Sequence, residues 1–215
     1  MRIRGAIFDV DGTLLDSMFI WDTIGETYLR SIGYEPREKL NEVFKNMSLF
    51  QAARYYRTEY GVTLSIDEIM NGVNAMLERY YRFEVSLRPG VAELLAQLQA
   101  SGVKLCIATA TDRYLVEAAL ERCGVLSCFG AIFTCNEVGH GKDEPDIFEE
   151  ALRFLGTEKA ETVVFDDALY AVRTAKEAGF PVAVIYDSHE KNQEGLRALA
   201  DFYIEDFSQV SAEDF

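Results

Sequence analysis

Positive charge is scarce in this chain. Lys and Arg total 21 against 36 Asp and Glu, a formal charge of −15 over 215 residues. Nucleic acids and anionic membranes both attract basic surface, so this balance excludes general binding to either. It favours a soluble protein, and any anionic substrate must meet local positive charge set against the global field. Long apolar runs are missing too: none approaches the ~20 residues of a membrane span. The first residues run directly into a strand-like segment, without the pattern of a secretory leader. Cysteine is sparse, and Cys106, Cys123, Cys128 and Cys135 form no CxxC pair. Reduced thiols in a cytoplasmic protein are the expected reading. Histidine occurs twice and tryptophan once.

What the chain does have is an apolar fraction of 49%, enough for a sizeable core, and one costly local feature. The apolar run Gly5-Ala6-Ile7 leads into Phe8-Asp9-Val10-Asp11-Gly12-Thr13. So short a run reads as a buried strand. Asp9 and Asp11, two positions apart, project to the same side of an extended chain. Like charges that close share a proton or gather around a cation. Gly12 then allows a sharp turn. The pattern predicts metal-assisted chemistry at the carboxyl end of a parallel strand.

From Arg88 onward, strand and helix patterns alternate. Leu94, Leu95 and Leu98 mark a helix closed by Gly102, and Val103–Ala108 reads as a strand. Asp112 is placed to cap the next helix. Ala131–Thr134, Thr162–Phe165 and Pro181–Tyr186 read as further strands, and Phe202-Tyr203-Ile204 as a last short one before a solvated end. Such βαβ alternation predicts a Rossmann-like, doubly wound α/β fold with a mostly parallel sheet and helices on both faces. Residues 17–87 differ. No convincing strand occurs there, and helices are expected over 17–32, over 49–60 and from Ser65, where Glu68 completes a capping box. The last should turn Ile69, Val73, Leu77 and Tyr80 to one face. Charge shifts as well: 17–87 holds 8 basic and 10 acidic residues, the remainder 13 and 26. The expected division is a core of 1–16 and 88–215 with an all-helical cap, 17–87, inserted after the first strand. The linkers fall near Leu14-Leu15-Asp16 and Glu84-Val85-Ser86.

Polar features collect after the strands, where open α/β sheets bind ligands. They are Asp9, Asp11 and Thr13; Thr109-Ala110-Thr111; Gly139-His140-Gly141-Lys142; and Asp166-Asp167. Carboxylates suit Mg²⁺, a hard ion that takes oxygen ligands. Lysine and backbone N–H groups can neutralise phosphate oxygens. A carboxylate can itself be the nucleophile and become an aspartyl-phosphate. His140 reads as an ordinary loop histidine.

Asp9-Val10-Asp11-Gly12-Thr13, followed in order by Thr109, Lys142 with Pro145-Asp146, and Asp166-Asp167, resembles the haloacid dehalogenase-like hydrolase superfamily along nearly the whole chain. The helical insert resembles the cap of the subfamily that includes phosphoglycolate phosphatases and β-phosphoglucomutases. The resemblance implies that Asp9 is the nucleophile and Asp11 the general acid/base. It implies that Gly12, Thr13, Thr109 and Ala110 help bind the phosphoryl group, and that Lys142 holds both Asp9 and phosphate. Mg²⁺ would sit on Asp9, the Asp11 carbonyl and Asp166. Asp167 is either close to the metal or a cap for the helix beginning near Ala168. Trp21 is either a residue of the cap's interior or a wall of the substrate site, and Phe19 and Ile24 share its helix.

The chain departs from the family pattern in places. Lys142-Asp143-Glu144-Pro145 replaces Lys-Pro-x-Pro, Phe165 precedes Asp166 where many relatives have Gly or Glu, and Tyr170 stands where some have an acid. A true dehalogenase lacks an acid at the position of Asp11, because halide needs no proton. Mutases carry His and Arg at the positions of Trp21 and Leu49. The implied activity is therefore Mg²⁺-dependent hydrolysis of a small phosphomonoester. A sugar-phosphate mutase and a non-catalytic phosphometabolite-binding relative are the alternatives.

Overall fold

The computed structural model describes residues 3–44 and 47–215. Its main sheet contains β1 (Gly5–Phe8), β4 (Lys104–Thr109), β5 (Ile132–Thr134), β6 (Thr162–Asp166), β7 (Val182–Ile185) and β8 (Phe202–Ile204). The order is β5-β4-β1-β6-β7-β8, and every pairing is parallel. β1 lies between β4 and β6, so the chain reverses its winding direction there. The crevice beyond the strand ends at that point is where such sheets take ligands.

Both faces of the sheet are covered, which is why its strands are apolar throughout rather than alternating. Ala6, Phe8, Ile107 and Phe165 point to one face, beneath α5 (Val91–Ala100) and α6 (Arg113–Arg122). Ile7, Cys106, Ala108 and Val164 point to the other, beneath α8 (Asp146–Leu155) and α9 (Leu169–Glu177). Phe8 and Phe165 stack with centroids 4.2 Å apart. The single-turn helix α7 (Cys135–Val138) follows β5, and α10 (Gln193–Leu199) precedes β8. The four cysteines are free thiols.

Between β1 and α5 the chain makes a two-strand ribbon and a helical layer. β2 (Leu15–Asp16) pairs antiparallel with β3 (Ser86–Leu87). Between them run α1 (Met18–Ser31), α2 (Leu40–Phe44), α3 (Leu49–Tyr60) and α4 (Ile66–Phe83). Capping boxes start α3 at Ser48 with Gln51 and α4 at Ser65 with Glu68. Gly72 permits close approach of α4 to α1: a Cβ there would lie 2.5 Å from the Tyr28 ring. The buried side chains of this layer join those of one sheet face through Val10, Leu14 and Leu15.

The structure corrects four expectations. α2 has five residues and only Leu40 buried, too little apolar periodicity to stand out in the sequence. Tyr81, not Tyr80, completes the buried face of α4, alongside Met70 and Asn74. Asp112 stands at the start of α6 without capping it; its carboxylate instead accepts hydrogen bonds from Asn74 and, at 3.5 Å, Asn136. The chain's end is only partly solvated: Glu213 and Asp214 are exposed, but Phe215 is 3% exposed and packs on Phe165 and Phe202. One aromatic side chain outweighs the acidic composition of that tail.

Candidate active site

The turn after β1 is built by the backbone. Leu14 and Leu15 N–H groups both donate to the Val10 carbonyl, at 2.9 and 2.8 Å, and Gly12 N–H donates to the Leu15 carbonyl at 3.0 Å. Gly12 has φ +76°, and a Cβ there would lie 2.5 Å from an Asp167 carboxylate oxygen. Glycine is therefore required twice over, by backbone conformation and by contact. Arg88, directly after β3, donates to the Gly12 carbonyl at 2.7 Å and to Asp187 at 2.9 Å. The turn is thereby tied to the end of the ribbon and to the loop after β7.

This geometry separates the two acids of the opening motif. Asp9 faces the core side of the crevice, 8% exposed, with its N–H donating to the Phe165 carbonyl at 2.9 Å. Lys142 Nζ, 3% exposed, donates to Asp9 Oδ1 and, at 2.8 Å, to Asp166 Oδ2. Asp166 Oδ1 accepts the Ala168 N–H at 3.0 Å. Asp166, rather than Asp167, is thus the acid that bonds the backbone entering α9. Asp167 is buried and accepts the Thr13 hydroxyl at 3.3 Å. Asp9, Asp166 and Asp167 each bring one carboxylate oxygen within 4.8 Å of the others.

Three buried carboxylates around one ammonium leave two negative charges uncompensated when all are ionised. Burial pushes Asp9 up to about 7; Lys142 opposes the rise, and Asp166 and Asp11 add to it. Asp167 is pushed well above the usual carboxylate range, first by burial and then by Asp166 and Asp9. Burial pulls the Lys142 ammonium down, but Asp166 and Asp9 more than reverse this, so it stays charged. The uncompensated charge and the all-oxygen donor set fit a hard divalent cation.

Asp11 is held differently. Its Oδ1 accepts from Ser17 Oγ at 2.6 Å and Tyr81 OH at 2.5 Å, and its Oδ2 from Thr111 Oγ1 at 2.6 Å. Each donor is a neutral hydroxyl. Thr109, ending β4, is buried, and its Oγ1 accepts the Thr111 N–H at 3.2 Å, leaving its own hydrogen to donate. Ala110 lies between them, half-buried.

The sequence reading missed two members of this group, Ser17 and, from farther along the chain, Tyr81. Tyr81 comes from α4, 70 positions from Asp11, and nothing local marks it. Burial and the Asp11 carboxylate push its hydroxyl well up, so it remains protonated. Trp21 does not stand alone as a wall: its Nε1–H donates to Tyr81 OH at 3.2 Å. Ile24 is buried in the helical layer, while Phe19 is 49% exposed. His140 is exposed, its Nδ1 3.5 Å from Glu144 and 3.4 Å from Asp146, in a group separate from that of Asp9. Among the described residues, two further contacts cross from the helical layer to the loops around the sheet. They are Asn74 with Asp112, and Asp22 with His189 Nε2 at 3.0 Å.

Comparison with known proteins identifies the family. The chain is 30% identical to Protein CbbY of Cereibacter sphaeroides, covering 93% of each. It is 29% identical to a probable pseudouridine-5'-phosphatase of Drosophila melanogaster, covering 96% of this chain and 94% of that one. The crystal structure of CbbY from Rhodobacter sphaeroides in complex with phosphate superposes with a TM-score of 0.84 at 28% identity, covering 96% of both chains. Residues 6–185 match the haloacid dehalogenase-like hydrolase family. Spanning most of the sequence, and both the strand-end acids and the helical insert, that match establishes that the chain belongs to this family of hydrolases.

Proposed function

We propose that the protein is a Mg²⁺-dependent phosphatase that hydrolyses a small phosphomonoester through an aspartyl-phosphate on Asp9. The carrying observation is the division of the two motif acids, Asp9 against Lys142 and Asp166, Asp11 against neutral hydroxyls. An acid that must be an anionic nucleophile is placed beside an ammonium. An acid that must pass a proton is placed among neutral hydroxyls. The names of similar proteins support phosphate chemistry: one is a probable pseudouridine-5'-phosphatase, and CbbY has been crystallised with xylulose-(1,5)bisphosphate.

In this reading Asp9 attacks phosphorus, and the bond to the leaving oxygen breaks. Asp11 gives that oxygen a proton, then takes one from the water that cleaves the aspartyl-phosphate. General acid/base help of this kind is worth ~10²–10⁴ in rate. The Thr109 hydroxyl and neighbouring N–H groups, with Lys142, hold the phosphoryl oxygens, while Gly12 and Thr13 shape the turn beneath them. Asp9, Asp166 and the Asp11 carbonyl would hold Mg²⁺, with Asp167 alongside. Bound there, the ion would offset the carboxylate charge and draw negative charge from the phosphoryl group. Residues 17–87 act as a cap that pivots on the β2–β3 ribbon, admits substrate when open and excludes bulk water when closed. The expected setting is cytoplasmic, with a phosphorylated metabolite as partner.

The test is a panel of phosphomonoesters, including sugar bisphosphates and nucleoside 5'-phosphates, assayed for phosphate release with and without Mg²⁺. Metal-dependent release from at least one is expected. Interconversion of sugar phosphates with little release would identify a mutase, and inertness across the panel would leave a binding protein.

A further inference from the structure

Asp11 has two oxygens, and only one can carry the proton that a leaving group needs. Three hydroxyls reach the carboxylate, but they are not equivalent. A hydroxyl has one hydrogen to give and lone pairs to receive, so it reverses its role by rotating. Thr111, on Oδ2, has that freedom. Tyr81, on Oδ1, does not. Trp21 Nε1–H is a donor only and points at the Tyr81 oxygen from 3.2 Å. With that side occupied, the Tyr81 hydrogen is directed at Asp11 Oδ1, 2.5 Å away. Ser17, 0% exposed, adds a second donor to the same oxygen. Oδ1 is thereby committed as an acceptor, and Oδ2 is left to hold the proton.

We propose that Tyr81, oriented by Trp21, is a positioning residue that fixes which oxygen of Asp11 serves as the proton donor. The proposal rests on the phosphatase reading of the site and deepens it. Both residues belong to the helical insert, Trp21 on α1 and Tyr81 on α4. The acid is therefore correctly oriented only when these helices are docked on the core. In the step itself, the Asp9 carboxylate forms the new bond to phosphorus. The electron pair of the old phosphorus–oxygen bond stays on the leaving oxygen, which takes the proton from Asp11 Oδ2. Water then attacks the phosphorus of the aspartyl-phosphate and gives a proton to the same Asp11 oxygen, while the bond between phosphorus and Asp9 breaks and frees the Asp9 carboxylate. Tyr81 keeps its own proton throughout.

Two aryl phosphates of similar size separate this role from a structural one. Phenyl phosphate releases an oxygen with an affinity for protons like that of a tyrosine hydroxyl, pKa ~10, and needs the acid. 2,4-Dinitrophenyl phosphate releases a stable anion and does not. With Mg²⁺ present, Tyr81→Phe should lower kcat/KM for phenyl phosphate by about tenfold or more, a part of the whole general-acid effect. It should change the value for the dinitrophenyl ester less than about twofold. Trp21→Phe should give the same pattern with a smaller ratio. The ratio within one variant does not depend on how much of the preparation is folded. Equal loss on both esters, or no loss on either, overturns the role of Tyr81 while leaving the phosphatase reading intact. Wild-type protein inert toward both esters overturns the two together.

Discussion

The two sides of the crevice hold a carboxylate in opposite ways. On the sheet side Asp9 sits in a buried set of groups that carry charge when ionised, with Lys142, Asp166 and Asp167. On the insert side Asp11 sits among Ser17, Tyr81 and Thr111, which carry none. Burying charges is costly unless they are paired, so the sheet side fits a counter-cation and is sensitive to deletion. Neutral hydroxyls stabilise a carboxylate less, and the one on Oδ2, from Thr111, can reverse its role by rotating. The difference sets one acid against a fixed cation and the other among neutral hydrogen-bond donors, although the two stand only two residues apart.

The largest break in this contrast is Asp9→Asn. It removes the nucleophile but keeps its shape, and phosphate release should fall by ~10⁴-fold or more with the circular dichroism spectrum unchanged. Wild-type turnover in that variant would exclude Asp9. Lys142→Ala strands three buried acids without their cation. It should cost ~3–5 kcal/mol of stability, and Mg²⁺ should raise its melting temperature more than that of the wild type. An equal Mg²⁺ effect in both would mean that Lys142 is not compensating those acids.

A pH titration sharpens the comparison without mutation. Asp9 is raised from 3.8 unfolded to about 7 folded. Between those values the folded chain binds more protons at this site than the unfolded chain. The associated stability is therefore full below about pH 4 and is lost as the pH climbs through about 7. Metal-free protein should lose melting temperature over that interval, and Asp9→Asn should flatten the slope. Protons must leave for a cation to enter, so Mg²⁺ affinity should rise over the same window. Affinity independent of pH would show that the sheet-side acids are already ionised.

The smallest effect is a control within the insert. Ser48→Ala removes half of the box that starts α3, where Gln51 N–H donates to Ser48 at 3.2 Å and Ser48 N–H to Gln51 at 2.7 Å. The cost should be ~1 kcal/mol by denaturant titration. The preference between phenyl and dinitrophenyl esters should not move, because α3 does not touch Asp11.

The sheet side was legible in the sequence because its acids follow apolar strands in chain order. A carboxylate beyond a buried strand has few structural excuses, and Asp9 and Asp166 carried that signal with Lys142 between them. The helical insert was legible as a class, from capping residues and the loss of strand pattern. The insert side of the site was not. Tyr81 on α4 reads as one aromatic among several, and its neighbour Tyr80 fits the apolar spacing as well. Only docking of the insert brings it to Asp11. Asp112 misled for the same reason: it has the sequence position of a helix cap, but Asn74 from the opposite layer claims its carboxylate. Contacts between layers distant in sequence leave no local periodicity to read.

The central claim, a covalent phosphoryl transfer to Asp9 with Asp11 moving the proton, has one direct measurement. Asp11→Asn with Mg²⁺ and 2,4-dinitrophenyl phosphate removes the proton shuttle while supplying an ester that needs no protonation to leave. One equivalent of dinitrophenolate should be released, and a phosphoryl group should be found by mass spectrometry on the peptide containing Asp9. Continuous turnover with no covalent phosphate, or phosphate on another residue, would contradict the claim.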